Sequence, residues 1–469
     1  MNDAATRFLA FLLRALREAA LTVFAMTVAA IAAALLDPGP ASAVFGAVLA
    51  LSLSRSHLTA ERRGWLEALA TLPVLSLATL AIGALLHHLP WVGAAVFVAV
   101  VATSAWIRRF GPLAQRFGRL VALPMATILV VPPLPHSTRW SGWLEWLLPM
   151  VVALLALAAV LLAQLAGRLL RWLPPRAARE ATQAAEPPSA APSAMKPSAP
   201  LRLALQMAVA LSCAFVVGFV VFPAHWRWLV LTAFLVNIGS LGGIDVVRKS
   251  VLRVLGAAGG TLLAMAVAGH SGAAPSTVGA LILACVFAGV FLRVFGYGWW
   301  VLAVTLALAL LQGFEPAAAP LLLWQRVLEI VIGALIGVAA ALLVFPIPSV
   351  DILRRRLAGA LAAMSESLDP EAAERFPEKV AGPMALVKQM RPVFHAHRFV
   401  RRRAELQPLD WIDALAACEA PVLALVAQGA TPGAVRQAIG AARKAMREPA
   451  QIGPTLNALR EALAGAPRA

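Results

Sequence analysis

The sequence predicts an all-α polytopic membrane protein with about twelve transmembrane helices, arranged as two parallel six-helix repeats and followed by a cytoplasmic helical C-terminal domain. Three observations predict this fold class: an excess of apolar residues, their grouping into runs of membrane-spanning length, and a change of composition after residue 346. Of the 469 residues, 61% are hydrophobic and 13% are charged, whereas soluble domains have about 45–50% apolar and about 25% charged residues. One soluble core cannot bury such an excess, so we expect the chain to lie in a lipid bilayer.

Twelve apolar runs have the length that a membrane-spanning helix needs. About 20 apolar residues cover the hydrocarbon core of a bilayer, and a helix satisfies its own backbone polar groups, which lipid cannot do. The predicted spans lie near 19–36, 38–54, 65–86, 90–107, 119–135 and 144–167 in the first half, and near 203–222, 228–244, 251–269, 275–292, 298–314 and 324–346 in the second half.

The positions of the basic residues predict the orientation of these spans. Apart from Arg139, Arg227 and Arg326, all Lys and Arg residues fall in the loops and termini on one side of the predicted membrane. The positive-inside rule places that side, with both termini, in the cytoplasm. We therefore predict a multi-pass protein of the cell inner (plasma) membrane.

The two halves of the membrane region align with each other when the chain is shifted by 185 residues. This shift places Arg63 on Arg248, and it places the RRFG stretch at 108–111 on the RVFG stretch at 293–296. Each half has six spans, an even number, so both halves begin on the same side. Such a parallel repeat is expected to have an axis near the membrane normal that relates its two copies.

These patterns divide the chain into four regions. The first six-helix repeat covers 1–173, and the second repeat covers 201–346. Between them, residues 174–200 are rich in Pro and Ala and are typical of a cytoplasmic linker. Residues 347–469 have mixed charge and helical composition, and they are numerous enough to form a small cytoplasmic helical domain with its own core.

The short second and eighth spans are candidates for a substrate pathway. Paired short or interrupted spans in equivalent positions of two repeats are the best sequence indication of a binding site in a transporter. Ser52 and Asn237 are equivalent under the shift of 185 residues, and Ser240 follows in the same Gly-rich region. Close helix packing, in which Ser and Asn hydrogen-bond between helices, is the alternative interpretation.

Two arginines form a second candidate element of the pathway. Arg108 and Arg293 are equivalent in the two repeats and follow the fourth and tenth spans. At the cytoplasmic mouth of a shared pathway, their field would concentrate anions. The alternative is that they only anchor the orientation of the spans.

Charged residues inside the predicted spans are expected to be functional, because a charge at the membrane centre costs about 2.5–3.5 kcal/mol on insertion scales. Glu329 and Arg326 lie three residues apart near the outer end of the last span, on one helix face. Glu329 is therefore a candidate for proton coupling, and an ion pair that only orients the span is the alternative. Asp245 and Arg253 are predicted to form a similar pair at the inner face.

The sequence shows no pattern typical of catalysis or of cofactor binding. The three Cys residues are far apart, so no metal-binding spacing exists, and no phosphate-binding loop of the Gly-x-x-x-x-Gly-Lys type is present. We therefore expect no metal, no cofactor, no enzymatic activity and no nucleic-acid partner. The lipid bilayer and an organic-anion substrate are the expected partners.

Three stretches of the second half resemble the fusaric acid resistance (FUSC) and aromatic acid exporter families, which are distantly similar to plant aluminium-activated malate transporters. The sequence PAHWRWLVLTAF at 223–234 resembles the Pro- and Trp-rich second span of these families. The sequence RVLGAAG at 253–259, preceded by Arg248, resembles the start of their third span, with Ala257 in place of Thr. The sequence RVLEIVIG at 326–333 resembles their last span, with Glu329 in place of Asp. In the first half, Ala68 stands where the motif has Arg.

This resemblance implies a secondary transporter that exports aromatic or other organic anions and is coupled to an ion gradient, which we take to be the proton gradient. It also implies that the chain is a fused dimer with an anion pathway between its halves. A periplasmic adaptor protein and a second copy of the chain are further candidate partners. A passive organic-anion channel and a non-transporting membrane scaffold remain alternatives at this stage.

Overall fold

The computed structural model describes residues 2–38, 40–55, 62–130, 146–172, 199–268, 275–311, 319–371, 377–400 and 407–465. Within these ranges the regular secondary structure is helical, and no strand occurs. The prediction of an all-α polytopic membrane protein is confirmed. The linker predicted over 174–200 lies outside the described residues except for its last two.

Twelve helices cover the predicted spans, one for each apolar run. They are α1 (Asn2–Leu36), α2 (Pro40–Arg55), α3 (Arg62–His88), α4 (Pro90–Trp106), α5 (Pro112–Val130), α6 (Leu148–Leu169), α7 (Ala199–Val221), α8 (Trp226–Asn237), α9 (Gly243–Ala268), α10 (Pro275–Leu292), α11 (Tyr297–Leu311) and α12 (Ala319–Leu343). Single 3-10 turns follow α4 and α10, at Ile107–Phe110 and Arg293–Phe295.

Not all twelve helices are long and apolar enough to cross a membrane by themselves. Eight of the described helices meet that requirement by length and composition, and α2 and α11 are shorter apolar helices. Helix α8 has 12 residues, which is about 18 Å of rise and shorter than the hydrocarbon core of about 30 Å. The sequence predicts a span as far as residue 244, but the helix ends at Asn237 because Gly239 and Gly242 adopt positive φ angles of 59° and 95°.

The described residues form two compact units. The first comprises α1–α8, α9 from Lys249 onward and α10–α12. In this unit, the first half of the chain packs against the second half through the pairs α4–α7 and α1–α10. The α4–α7 contact is aromatic: the Phe97 ring lies 5.5 Å from the Phe215 ring and 6.5 Å from the Phe234 ring of α8, measured between centroids.

The second unit comprises Ser240–Arg248 and the helices that follow Pro346. These helices are α13 (Ser349–Ser367), α14 (Pro377–Lys388), α15 (Arg391–Val400), α16 (Pro408–Ala427), α17 (Gly433–Ala445) and α18 (Pro449–Ala464). They enclose a hydrophobic core of their own, with contributions such as Leu357, Met384, Ile412, Ile439 and Leu456. The side chain of Arg354 ties α13 to the end of α17, where it donates to the carbonyl oxygens of Met446 and Arg447.

Candidate functional site

Helix α8 is the element around which the buried polar residues of the membrane unit are grouped. Nine of its residues, from Trp228 onward, are buried, because α5, α7 and α12 all pack against it. Two glycines allow α12 to approach closely. A Cβ atom at Gly333 would lie 2.5 Å from the carbonyl oxygen of Leu229, and one at Gly337 would lie 2.8 Å from Nδ2 of Asn237.

Glu329 lies at this close contact, beside the first residues of α8. Its side chain is 1% exposed. Oε1 lies 4.0 Å from Nδ1 of His225, the residue that precedes α8, and the His225 side chain is 44% exposed. Within the described part of the chain, Oε2 of Glu329 has no hydrogen-bond partner. The carboxyl group is therefore enclosed by protein and separated from the surface by one imidazole ring.

Arg326 accompanies Glu329 on the same helix and is also buried. The two charged groups interact electrostatically. The guanidinium carbon of Arg326 lies 4.3 Å from the centroid of the Trp228 ring, a cation–π distance. Both members of the predicted proton-coupling pair are thus held at the α8–α12 contact.

The second predicted pair is Asp245 and Arg253, and its role at the inner face stays a prediction. Oδ2 of Asp245 accepts a hydrogen bond of 2.9 Å from the backbone N–H of Leu241. Arg253 is buried and donates from Nε to Oγ1 of Thr232 on α8, at 3.3 Å. The Arg253 side chain is also hydrogen-bonded to Tyr297 at the start of α11.

The predicted substrate residues Ser52, Asn237 and Ser240 are not joined by hydrogen bonds in the described ranges. Asn237 is buried and donates to the carbonyl oxygen of Ala233 at 2.9 Å. Ser52 and Ser240 are half-buried. Helix α5 packs against both α2 and α8. That Ser52 and Asn237 line one pathway therefore stays a prediction.

The two repeat-equivalent arginines have different surroundings. Nη2 of Arg108 lies 3.4 Å from the carbonyl oxygen of Gly118, a contact within the first half. Arg293 interacts electrostatically with Glu18 of α1, which belongs to the other half. The role of these arginines at an anion-concentrating mouth stays a prediction.

Several residues of this region were not predicted from the sequence: His225, Thr232, Tyr297 and Gln206. Gln206 is buried on α7 and donates from Nε2 to the carbonyl oxygens of Ala341, Val344 and Phe345 at the end of α12. The last carbonyls of a helix lack partners within the helix, so this amide side chain satisfies groups that lipid could not. A lone Gln within an apolar run was the available signal.

The described residues include no group of three or more His, Cys, Asp or Glu side chains that could hold a metal ion. The described polar groups of this region include charged and hydroxyl groups buried among the helices of the membrane unit. Such groups are suited to proton exchange and to the binding of anions.

Comparison with known proteins gives one family. Residues 195–340 match the family model described as fusaric acid resistance protein-like, a range that covers α7–α11 and most of α12. No curated protein matches the chain. The resemblance to the fusaric acid resistance family is confirmed over these residues, and the similarity to plant malate transporters stays a prediction.

Proposed function

Because residues 195–340 carry the fusaric acid resistance-like domain, we propose that this multi-pass membrane protein is a secondary transporter of the inner membrane. It exports aromatic or other organic anions, and export is coupled to the proton gradient. Both termini lie in the cytoplasm, as the distribution of basic residues favours. A periplasmic adaptor protein is a candidate partner that would carry the substrate onward.

The observation that carries this proposal is the burial of Glu329 inside a membrane-spanning helix. Ionisable groups within spans are costly and typically mark ion pathways and proton relays. Glu329 is 1% exposed and has one carboxyl oxygen without a partner among the described residues. A residue whose only task was to orient α12 would gain nothing from an unsatisfied buried oxygen, which costs about 1–3 kcal/mol.

In the proposed mechanism, Glu329 takes up a proton from the periplasmic side and releases it towards the cytoplasm as the anion moves outward. The anion enters past Arg108 and Arg293 and passes the region of Ser52, Asn237 and Ser240. Coupling requires that proton and anion bind with different affinity to the inward-open and outward-open states. The close α8–α12 contact supports this role, because a change of charge on Glu329 would act directly on the packing of α8.

The arrangement of helices supports a repeat of six plus six spans. Under the shift of 185 residues, α4 corresponds to α10 and α7 corresponds to α1, so the contacts α4–α7 and α1–α10 are equivalent. Two such contacts are what a twofold axis near the membrane normal requires. We propose that the chain is a fused dimer of the six-helix unit.

The variant Glu329→Gln tests proton coupling. In proteoliposomes, uptake of 4-hydroxybenzoate by the wild type, corrected for protein-free liposomes, should vary with pH. In Glu329→Gln this variation should vanish, because an amide cannot exchange a proton. A variant that kept the wild-type pH dependence would show that Glu329 is not the coupling group.

A carboxylate elsewhere in the membrane unit provides the matched control. Glu67 on α3 forms an ion pair of 3.8 Å with Arg116 and is half-buried. The variant Glu67→Gln removes the same charge by the same chemical change, and the pH dependence of uptake should remain. Thermal unfolding of both variants in detergent establishes that they are folded.

A further inference from the structure

Arg253 is a buried cation that the mechanism above does not use. It lies on α9, ten residues after Gly243 and hence about 15 Å along the helix, and it is 6% exposed. Its hydrogen-bond partners are the hydroxyl groups of Thr232 and Tyr297, which carry no charge. Within the described residues, no carboxylate lies within 4.0 Å of its guanidinium.

Among the described residues, this guanidinium has no carboxylate as an ion-pair partner. Burial of an ion without an opposite charge costs several kcal/mol, and within a membrane arginines usually face a partner or a pathway. The guanidinium has five N–H donors, more than its two hydroxyl partners use. Its planar fork matches a carboxylate, which it can bind through two parallel hydrogen bonds.

Two further hydroxyl groups lie on the buried side of α9, one on either side of Arg253. Ser250 precedes it by one turn and Thr261 follows it by two turns, and both side chains are buried. In the described part of the chain, neither hydroxyl oxygen has a hydrogen-bond partner. A buried hydroxyl without a partner costs about 1–3 kcal/mol, and Ser250, about 4.5 Å from Arg253 along the helix axis, is near enough to share a ligand with it.

The backbone around Arg253 is held firmly. A Cβ atom at Gly256 would lie 2.7 Å from the carbonyl oxygen of Gly298, and one at Gly260 would lie 2.5 Å from that of Leu302. Helix α9 therefore touches α11 backbone to backbone immediately after Arg253. A purely structural guanidinium would account for the bonds to Thr232 and Tyr297, but not for the hydroxyl group of Ser250, which has no partner among the described residues.

We propose that Arg253 binds the carboxylate group of the transported anion near the cytoplasmic end of the ninth span. Thr232 and Tyr297 orient its guanidinium, and Ser250 offers a further hydrogen bond to the carboxylate. This inference rests on the proposed function and names the residue that contacts the charged end of the substrate. The ligand class is an organic carboxylate.

Ligand-dependent thermal stability of the full-length protein in detergent tests this assignment. The probes are 4-hydroxybenzoate and its neutral analogue 4-hydroxybenzamide, in chloride-free buffer. The wild type should gain stability with the carboxylate and not with the amide, because only a charged ligand pairs with Arg253. In Arg253→Gln the gain should be lost, and in Arg253→Lys the Kd should rise at least about tenfold, since a lysine lacks the planar fork.

The control removes a cation from the same helix one turn earlier. Lys249 donates to the carbonyl oxygen of Gly239, and Lys249→Gln should keep the wild-type response to 4-hydroxybenzoate. Should Arg253→Gln fail to fold, the variant Ser250→Ala, which removes no charge, should weaken binding of the carboxylate by the same assay.

The proposal is overturned if the wild type does not respond to 4-hydroxybenzoate, or if Arg253→Gln responds as the wild type does. Uptake in proteoliposomes distinguishes a failure of this binding proposal from a failure of the proposed function. Transport by Arg253→Gln with an unchanged KM would refute the binding role of Arg253 and leave proton-coupled transport standing. Loss of binding in Arg253→Gln, together with unaltered pH dependence in Glu329→Gln, would refute the coupling mechanism and leave the binding site standing.

Discussion

At the scale of single residues, the charged groups of the membrane unit could be predicted from the sequence, but their partners could not. Glu329, Arg326 and Arg253 stand out because each interrupts an apolar run. The groups that surround them, such as His225 and Thr232, come from other helices, and a single sequence carries no record of such contacts. The structure adds their surroundings: Arg326 interacts with the carboxylate of Glu329. Among the described residues, the hydrogen-bond partners of Arg253 are hydroxyl groups.

Cys418 provides a prediction at the same scale, in the C-terminal unit. It is buried in the core of that unit, and its thiol donates to the carbonyl oxygen of Ala414 at 3.3 Å. Burial raises the pKa of Cys418 to about 11. Because the thiolate is the reactive species, alkylation by N-ethylmaleimide near neutral pH should be on the order of 100-fold slower than for an ordinary cysteine with a pKa near 8.5.

Mass spectrometry of the Cys418 peptide measures this rate. The rate should increase as the pH rises towards 11, since a larger fraction of the thiol is then ionised. The denatured protein serves as the control and should react at the rate of a free thiol. Rapid labelling of the folded protein near neutral pH would mean that the C-terminal core is not formed as described.

At the scale of the helices, all twelve apolar runs correspond to helices, yet their ends could not all be located. Helix α8 ends seven residues before the predicted limit of its span at 244, because positive φ angles at Gly239 and Gly242 cannot continue a helix. Residues 238–244 are apolar enough to resemble the continuation of a span. The sequence does indicate that this span is short, and the helix is shorter still.

The α8–α12 contact gives a prediction for helix packing. In Gly333→Ala, the added methyl group would lie 2.5 Å from the carbonyl oxygen of Leu229 and 3.1 Å from Cβ of Thr232. Backbone must move to accept it, and such overpacking costs about 1–3 kcal/mol. Thermal unfolding in detergent should therefore show a lowered Tm. The pH dependence of uptake, which we assign to Glu329, should also be weaker than in the wild type.

Gly83 on α3 allows the same substitution without a clash. No atom lies within 4 Å of a Cβ built there, and alanine is favoured over glycine in a helix by about 1 kcal/mol. Gly83→Ala should be neutral or slightly stabilising. Equal stability of the two variants would show that α12 does not rely on Gly333 for its approach to α8.

At the scale of the whole molecule, the halves of the membrane region contact each other through α4–α7, α1–α10 and α5–α8, and the internal repeat stays a prediction. The polar groups that the structure gathers lie within the second half, around α8, α9 and α12. The α4–α7 contact itself is lined by the aromatic rings of Phe97 and Phe215. The sequence pointed to a pathway between the halves, and that pathway stays a prediction.

The range of the family match agrees with this asymmetry. Residues 195–340 contain Arg253, Arg326 and Glu329, whereas the equivalent of the motif arginine Arg253 in the first half is Ala68. The first half thus has helices of its own but not this cation. We expect the proton-coupling and carboxylate-binding groups that we propose, Glu329 and Arg253, to act from the second half.

The central claim, that a proton gradient drives export of an organic anion, is tested by accumulation in proteoliposomes. The lumen is made acidic and corresponds to the periplasmic side, 4-hydroxybenzoate is equal on both sides, and potassium with valinomycin holds the membrane potential at zero. We expect the wild type to accumulate 4-hydroxybenzoate in the acidic lumen until nigericin removes the pH gradient. Passive permeation of the neutral acid would deplete an acidic lumen, and a channel would produce no accumulation. The absence of accumulation would therefore contradict proton-driven export of the anion.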